Sequence, residues 1–299
     1  MTDRNPIIVI DRETGESFEE KILGEKWIRW AYQDSSTGFL EALLFRSSWF
    51  SRLMGLYYDS PFSKGKITPV INELGIDEAD FSEPKASFPS FNAFFARTLK
   101  PEARPFNRDP DVLVSPADGR VLVFPCLDAY SYAPVKGYPF TIQQLLPDHA
   151  KRFKNGALAT IRLCPADYHR YHFPCAGTIV EYGSIPGHLH SVNPIALGRG
   201  LDVFGTNKRN YTLIDTSHFG PMCFIEVGAF GVGSINNTRQ SGPVEKMNEK
   251  GYFKFGGSTV VLLFEAGRVR FAEDLIRNST SNRETLIKVG QDLATVIRD

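Results

Sequence analysis

From Asp111 onward the apolar positions fall into short runs bounded by Gly and Pro: VLVFP, ALATIRL, CFIEVGAFGVGSI and STVVLLFE. Runs of this length, rich in Val, Ile, Leu and Phe, predict strands, and their succession predicts a mostly β core over about residues 111–271. The pattern upstream is different. Residues 24–58 are rich in aromatics, and Phe39, Leu43, Phe50, Leu53, Met54 and Tyr57 lie close to a helical repeat. FNAFFARTL, residues 91–99, predicts a second, shorter amphipathic helix that Pro101 and Pro105 end. The tail, 277–299, reads as helical. The fold class expected is α+β, a mostly antiparallel β core with N-terminal amphipathic helices and a C-terminal helix. The chain then divides into a helical region, 1–110, and a β-rich region, 111–299.

The helix at 38–58 supports two readings. Its aromatics can pack on the β core. Alternatively Trp49, Phe50, Leu53 and Tyr57 dip into lipid, with Arg46, Arg52, Lys64 and Lys66 near the headgroups.

Composition narrows the partners. Lys+Arg and Asp+Glu number 34 each, so the net charge is zero and no nucleic-acid partner is expected. Cys126, Cys164, Cys175 and Cys223 are scattered without CxxC pairs, which fits a reducing compartment. The first twenty residues are too charged for a signal peptide. No run of about 18 uninterrupted apolar residues occurs, so any membrane contact is expected from the side.

Candidate chemistry sits in three places. In LCPADYHRYHFPC, Cys164, His169, His172 and Cys175 give C-x4-H-x2-H-x2-C. That spacing matches no common structural zinc site, and no metal is expected there. The histidines then serve either packing or acid–base work. Residues three apart on a strand face opposite ways, so both serve one site only if YHRYHF bends. In VSPADGRV, Asp118 precedes Gly119, and alone the pair reads as a turn. In KFGGSTVVLLFE, Gly256 and Gly257 precede Ser258 at the mouth of a strand, which alone also reads as a turn. Together an acid, a histidine pair and a serine on permissive backbone are the parts of an Asp–His–Ser relay. There is no G-x-S-x-G elbow.

SPADGRV, RLCPADYHRYHFP, SVNPIAL, FGTNKRNY, VGAFGVGSI and GYFKFGGSTVVLLF occur in this order, and with them the chain resembles the phosphatidylserine decarboxylases from about Gly24 to the tail. The resemblance implies self-cleavage between Gly257 and Ser258. His172, oriented by Asp118, would deprotonate Ser258, whose oxygen attacks the Gly257 carbonyl to give an ester. Elimination and hydrolysis then leave a covalent pyruvoyl group, the cofactor, on the shorter chain. A Schiff base between that group and phosphatidylserine would lose CO2 to give phosphatidylethanolamine, with His169 handling the proton returned to Cα. The resemblance further implies two chains held together, a homodimer, and a peripheral protein at the cytoplasmic face of the cell membrane. Residues 111–299 become the catalytic region and 1–110 the membrane-associating one.

One departure is the best-known motif, Leu-Gly-Ser-Thr, which here has Gly256 in place of Leu. Some relatives with Gly-Gly-Ser act on free amino acids. Two alternatives therefore stand beside the lipid enzyme: a pyruvoyl-dependent decarboxylase of aromatic amino acids, and a non-enzymatic lipid-binding protein with Ser258 uncut. For the headgroup phosphate, Arg162, Arg170, Lys208 and Arg209 are all candidates.

Overall fold

A computed structural model of the chain describes residues 7–21, 23, 48–127, 133–135, 138–187, 203–228, 234–256 and 258–298. At its centre lies the strand Ser258–Phe264, buried along its whole length. A strand covered on one face alternates apolar and polar positions, whereas one covered on both reads as a continuous apolar run. Ser258–Phe264 is of the second kind. It pairs antiparallel with Gly220–Gly228 on one side and Gly156–Leu163 on the other. Beyond Gly220–Gly228 the sheet continues through Arg209–Thr216 and Gly177–Ile185 to Gly242–Val244. Beyond Gly156–Leu163 it continues through Gly119–Leu127, Glu284–Ile287 and Ile8–Asp11 to Ser17–Glu19. Every ladder of this ten-stranded sheet is antiparallel except that of Ile8–Asp11 on Glu284–Ile287.

Val260, Leu262 and Phe264 on one face meet Tyr171, Phe173, Phe253, Phe271 and Leu293. All but Phe173, which follows one of the strands, come from two three-stranded sheets. One is Ile235–Asn237, Glu249–Phe253 and Arg170–His172; the other is Val269–Phe271, Asp292–Val296 and Val112–Val114. On the opposite face Val261 and Leu263 are covered from the helix Ile142–Leu145 and the turn Ala150–Phe153.

The α+β class holds, with three differences in detail. The region expected to be helical, 1–110, opens with two strands, Ile8–Asp11 and Ser17–Glu19, at one edge of the large sheet. The tail is helical only over Glu273–Thr280; Glu284–Ile287 and Asp292–Val296 are strands. Asn282 at φ 54° and Gly290 at φ 89° turn the chain back. Pairing partners on the sheets then override the helical propensity of the segment. The helix expected at 91–99 is shorter, Phe91–Phe95, and is not amphipathic: Phe91, Asn92, Phe94 and Phe95 are all buried.

The N-terminal helix is described from Ser48 to Asp59; residues 38–47 and the side chains of Trp49, Phe50 and Arg52 lie outside the described set, as does Arg46. Met54 and Tyr58 pack into an aromatic cluster with Phe91, Phe94, Phe95 and Phe255. Leu53, Leu56 and Tyr57 stay exposed, and so does Phe62 just beyond. One face is core, and the other is bare.

The two layers are pinned by a charged pair. Glu226, on Gly220–Gly228, binds Lys250, on Glu249–Phe253, and neither side chain has any exposure. The Lys250 ammonium also faces the rings of Phe224, Tyr171 and Phe173 at 4.8, 5.8 and 5.9 Å. Removing one member would leave the other charge buried alone. Lys250→Met should therefore destabilise the fold by about 3–5 kcal/mol, and adding Glu226→Leu should recover most of it. Urea unfolding of both variants in a Ser258→Ala background, where the chain stays whole, checks this.

Candidate active site

Register decides what gathers at one end of the sheet. Ser258 opens its strand opposite Gly228 and Leu163. On the next strand Arg120 pairs with Arg162, so Asp118 and Gly119 stand level with the end at Leu163. Two interstrand steps put the Asp118 backbone about 10 Å from that of Ser258. Asp118-Gly119 is no hairpin turn: Gly119 begins the strand Gly119–Leu127, and a Cβ there would lie 2.6 Å from the Arg162 carbonyl oxygen. The glycine is required by the close approach of two strands. Gly257 lies outside the described residues. Gly256 takes φ 149°, a conformation L side chains rarely adopt. Leucine, found there in the best-known form of the motif, would be strained in this backbone.

Ser258 is 1% exposed, and its Oγ finds no hydrogen-bond partner among the described residues. Buried hydroxyls are normally satisfied, so this one stands out. His169 is fully buried and lies just ahead of the short strand Arg170–His172, where its carbonyl oxygen accepts the Phe253 N–H at 2.9 Å. The His169 ring lies tilted against Phe95, with centroids 3.8 Å apart, and its Nδ1 is 2.9 Å from the Asp167 carbonyl oxygen. A carbonyl only accepts, so Nδ1 carries the hydrogen and Nε2 bears the lone pair. That Nε2 also lacks a partner among the described residues. Burial holds the His169 pKa down to about 3, leaving the imidazole neutral.

His172 repeats the arrangement, with Nδ1 donating to the Met247 carbonyl at 3.1 Å. Burial lowers its pKa as well, but the negative charges of Glu249 and Asp118 act the other way. Asp118 does not hydrogen-bond His172. Arg104 grips both its oxygens at 3.0 and 2.7 Å, and the Val289 N–H donates to it at 2.8 Å. The guanidinium fork suits a carboxylate better than an imidazole does, so Met247 sets the tautomer and Asp118 acts on His172 only through its charge. Asp118, His172 and Ser258 are not joined by hydrogen bonds in this structure. Arg104 and Met247 were not signalled by the sequence.

Residues 91–295 match the family model for phosphatidylserine decarboxylase, a span that includes Asp118, His169, His172 and Ser258. The chain belongs to the phosphatidylserine decarboxylase family. It is 40% identical over 294 residues to the phosphatidylserine decarboxylase proenzyme of Clostridium beijerinckii, covering 97% of this chain and 99% of that protein. The proenzyme of Clostridium kluyveri is 39% identical over 286 residues, 95% of this chain and 97% of its own length. That of Chlamydia trachomatis is 39% identical over 290 residues, 96% of each.

Other parts of this decarboxylase sort themselves by geometry. Arg162 is committed to Glu284 at 2.6 Å and Glu20 at 2.9 Å. Burial pushes the Glu20 carboxyl up, but Arg162 and Arg120 outweigh it and hold its pKa down to about 2. Arg209 donates to the carbonyls of Leu145, Gln144, Asn207 and Gly205. Arg170 pairs with Glu249 at 2.7 Å. Lys208 is exposed, and its carbonyl accepts the Gly228 N–H at 2.9 Å, beside Ser258. Cys164 follows Leu163 at the Ser258 end, whereas Cys175 lines a cavity of about 220 Å³ at the opposite end. That cavity, with His218, Lys246 and Arg108 in its wall, shares no residue with the site.

The buried neutral histidine carries a pH signature. The unfolded chain takes up the His169 proton near pH 6.5, whereas the folded chain does so only near its pKa of about 3. The unfolded state thus binds more protons between those limits, and stability falls as pH drops through them. From this group alone the loss between pH 7 and pH 5 is about 2 kcal/mol. In the Ser258→Ala background, His169→Gln should lose about 2 kcal/mol less than its parent over that interval in urea unfolding. Equal losses would contradict a buried neutral His169.

Proposed function

We propose that the chain is made as a proenzyme, cuts itself between Gly257 and Ser258, and then converts phosphatidylserine to phosphatidylethanolamine and CO2. The observation that carries this is the Ser258 hydroxyl, buried and unpartnered among the described residues at the mouth of a buried strand, two residues after Gly256 at φ 149°. The relatives compared above are named as proenzymes.

The first step needs a base for the Ser258 proton. Of the two neutral imidazoles, His172 is the better one, because Asp118 and Glu249 favour its charged form. His169, sealed from water, resists protonation more strongly. As Oγ bonds to the Gly257 carbonyl carbon, the C–N bond breaks and the nitrogen takes a proton, giving an ester. Loss of the Ser258 Cα proton then expels Gly257 as a carboxylate and leaves a dehydroalanine. Addition of water releases ammonia and leaves a pyruvoyl ketone. The position suits such a group, since of its two neighbours across the ladders, Gly228 and Leu163, the first adds no side chain. The ketone supplies an acceptor for the substrate amine and a sink for the electron pair left as CO2 departs. His169, with its bare Nε2, is assigned the proton delivered to the substrate's Cα. Lys208 is assigned the headgroup phosphate.

Among the described residues no helix is long and apolar enough to cross a membrane. The face formed by Leu53, Leu56, Tyr57 and Phe62, with Lys64 and Lys66 beside it, fits an anionic lipid surface. This supports a lipid substrate over a free amino acid, and a peripheral protein at the cytoplasmic face of the cell membrane.

A denaturing gel with intact mass tests the central step. The wild-type chain should split into 1–257 and a blocked 258–299, while Ser258→Ala stays whole and inactive. His172→Ala should accumulate the uncut chain. His169→Ala should cut and then decarboxylate about 100-fold more slowly or worse. An active preparation that remains one uncut polypeptide would refute the mechanism.

The membrane face has its own test. Leu56→Ser with Phe62→Ser should weaken binding to anionic vesicles and leave self-cleavage intact. Unchanged sedimentation with vesicles would remove this face from the membrane contact.

A further inference from the structure

The backbone just upstream of Ser258 is held by side chains that the cleavage chemistry does not use. Asn92 is 2% exposed on the helix Phe91–Phe95, and its Oδ1 accepts the Phe255 N–H at 2.9 Å. Its Nδ2 donates to Asp59 Oδ1 at 3.0 Å. Asp59 in turn takes the Lys254 ammonium on both oxygens at 2.9 Å. One Asp–Asn pair thus holds two consecutive residues, Lys254 through its side chain and Phe255 through its main chain. The amide has only one consistent orientation, because a flip would set oxygen against carboxylate and NH2 against N–H.

The Phe255 ring reinforces the grip. It lies 4.6 Å from Tyr58, 5.0 Å from Phe91 and 5.2 Å from Phe95, the ring that lies against His169. Downstream, Ser258 is fixed by ladders on both sides. Only Gly256 and Gly257 separate the two anchors, and glycine alone supplies no preference for one backbone conformation. The anchors must supply it.

We propose that Asn92, braced by Asp59, is a positioning residue for self-cleavage, fixing the Phe255 main chain and the Lys254 side chain so that the Gly257 carbonyl meets the Ser258 hydroxyl. This rests on Gly257–Ser258 being the bond that is cut. Attack by a tethered nucleophile depends steeply on alignment, and a shift of about 1 Å can cost a factor of about 100 in rate. Neither Asn92 nor Asp59 is a neighbour in sequence of the broken bond. The same grip therefore keeps Phe255 against the His169 wall after the cut.

The test follows conversion of newly synthesised full-length chain on denaturing gels over time, with melting temperatures measured alongside in a Ser258→Ala background. Asn92→Asp keeps the size and an acceptor for Phe255, but it loses the donor and sets two carboxylates together. It should cleave about tenfold more slowly or worse. Exchanging the pair, Asn92→Asp with Asp59→Asn, restores one donor facing one carboxylate and leaves a negative charge for Lys254. The exchange should return cleavage to within about threefold of wild type, a rescue that loss of packing alone would not give. Asn92→Asp cleaving at the wild-type rate overturns the proposal. So does an exchanged pair that melts like wild type yet stays about tenfold slow. A wild-type chain that never splits would instead defeat the cleavage reading on which the proposal rests.

Discussion

The placement of the Ser258 hydroxyl depends on the register of one antiparallel ladder. Ser258 and Thr259 are neighbours, both buried, and neither hydroxyl has a partner among the described residues. They point to opposite faces, because side chains alternate along a strand. Ser258 shares its face with Val260 and Leu262, toward the layer that carries Tyr171 and the histidine segment. Thr259 lies opposite Arg162, on the other face. A slip of one residue would exchange them. The apolar run that follows prevents it, since Val260, Leu262 and Phe264 fill one core while Val261 and Leu263 fill the other.

The charged residues of the opposite face reach the site through the loop between Leu163 and His169. Arg120 and Arg162 are buried there and are neutralised by Glu20, Glu284 and Asp167. Asp167 also accepts the Cys164 N–H at 2.6 Å, while its own carbonyl orients His169. The arginine cluster thus fixes the loop whose backbone fixes the imidazole. Glu20 carries this connection to the N-terminal edge of the sheet, and Asp59 makes a second one from the surface helix to the residues before Ser258.

Much of this was legible in local pattern. The STVVLLF strand and the β core follow from composition and spacing within a few residues. What was hidden depends on contacts between distant parts of the chain. Asp118 looks like a turn residue until Arg104 and Val289 arrive to claim its oxygens. Arg162 reads as a free cation until Glu20 and Glu284, from the two ends of the sequence, enclose it. The tail misleads because its helical pattern is real up to Thr280, after which strand partners decide. Asn92, within FNAFFARTL, gives no sign of its role because its partner, the Phe255 N–H, belongs to the backbone and leaves no trace in composition.

The central strand also decides how long such a molecule could last. A cut before Ser258 would leave residues 258–299 as a separate chain, yet that chain supplies the middle strand of the sheet, Val269–Phe271, the helix Glu273–Thr280 and two further strands. It could not leave without dismantling the core. Once unfolded, the halves would have to find each other by diffusion, and the shorter one is too small to bury a core alone. Maturation would therefore turn a chain that folds by itself into an assembly unable to reassemble readily. Its working lifetime would be set by the rate of its first unfolding.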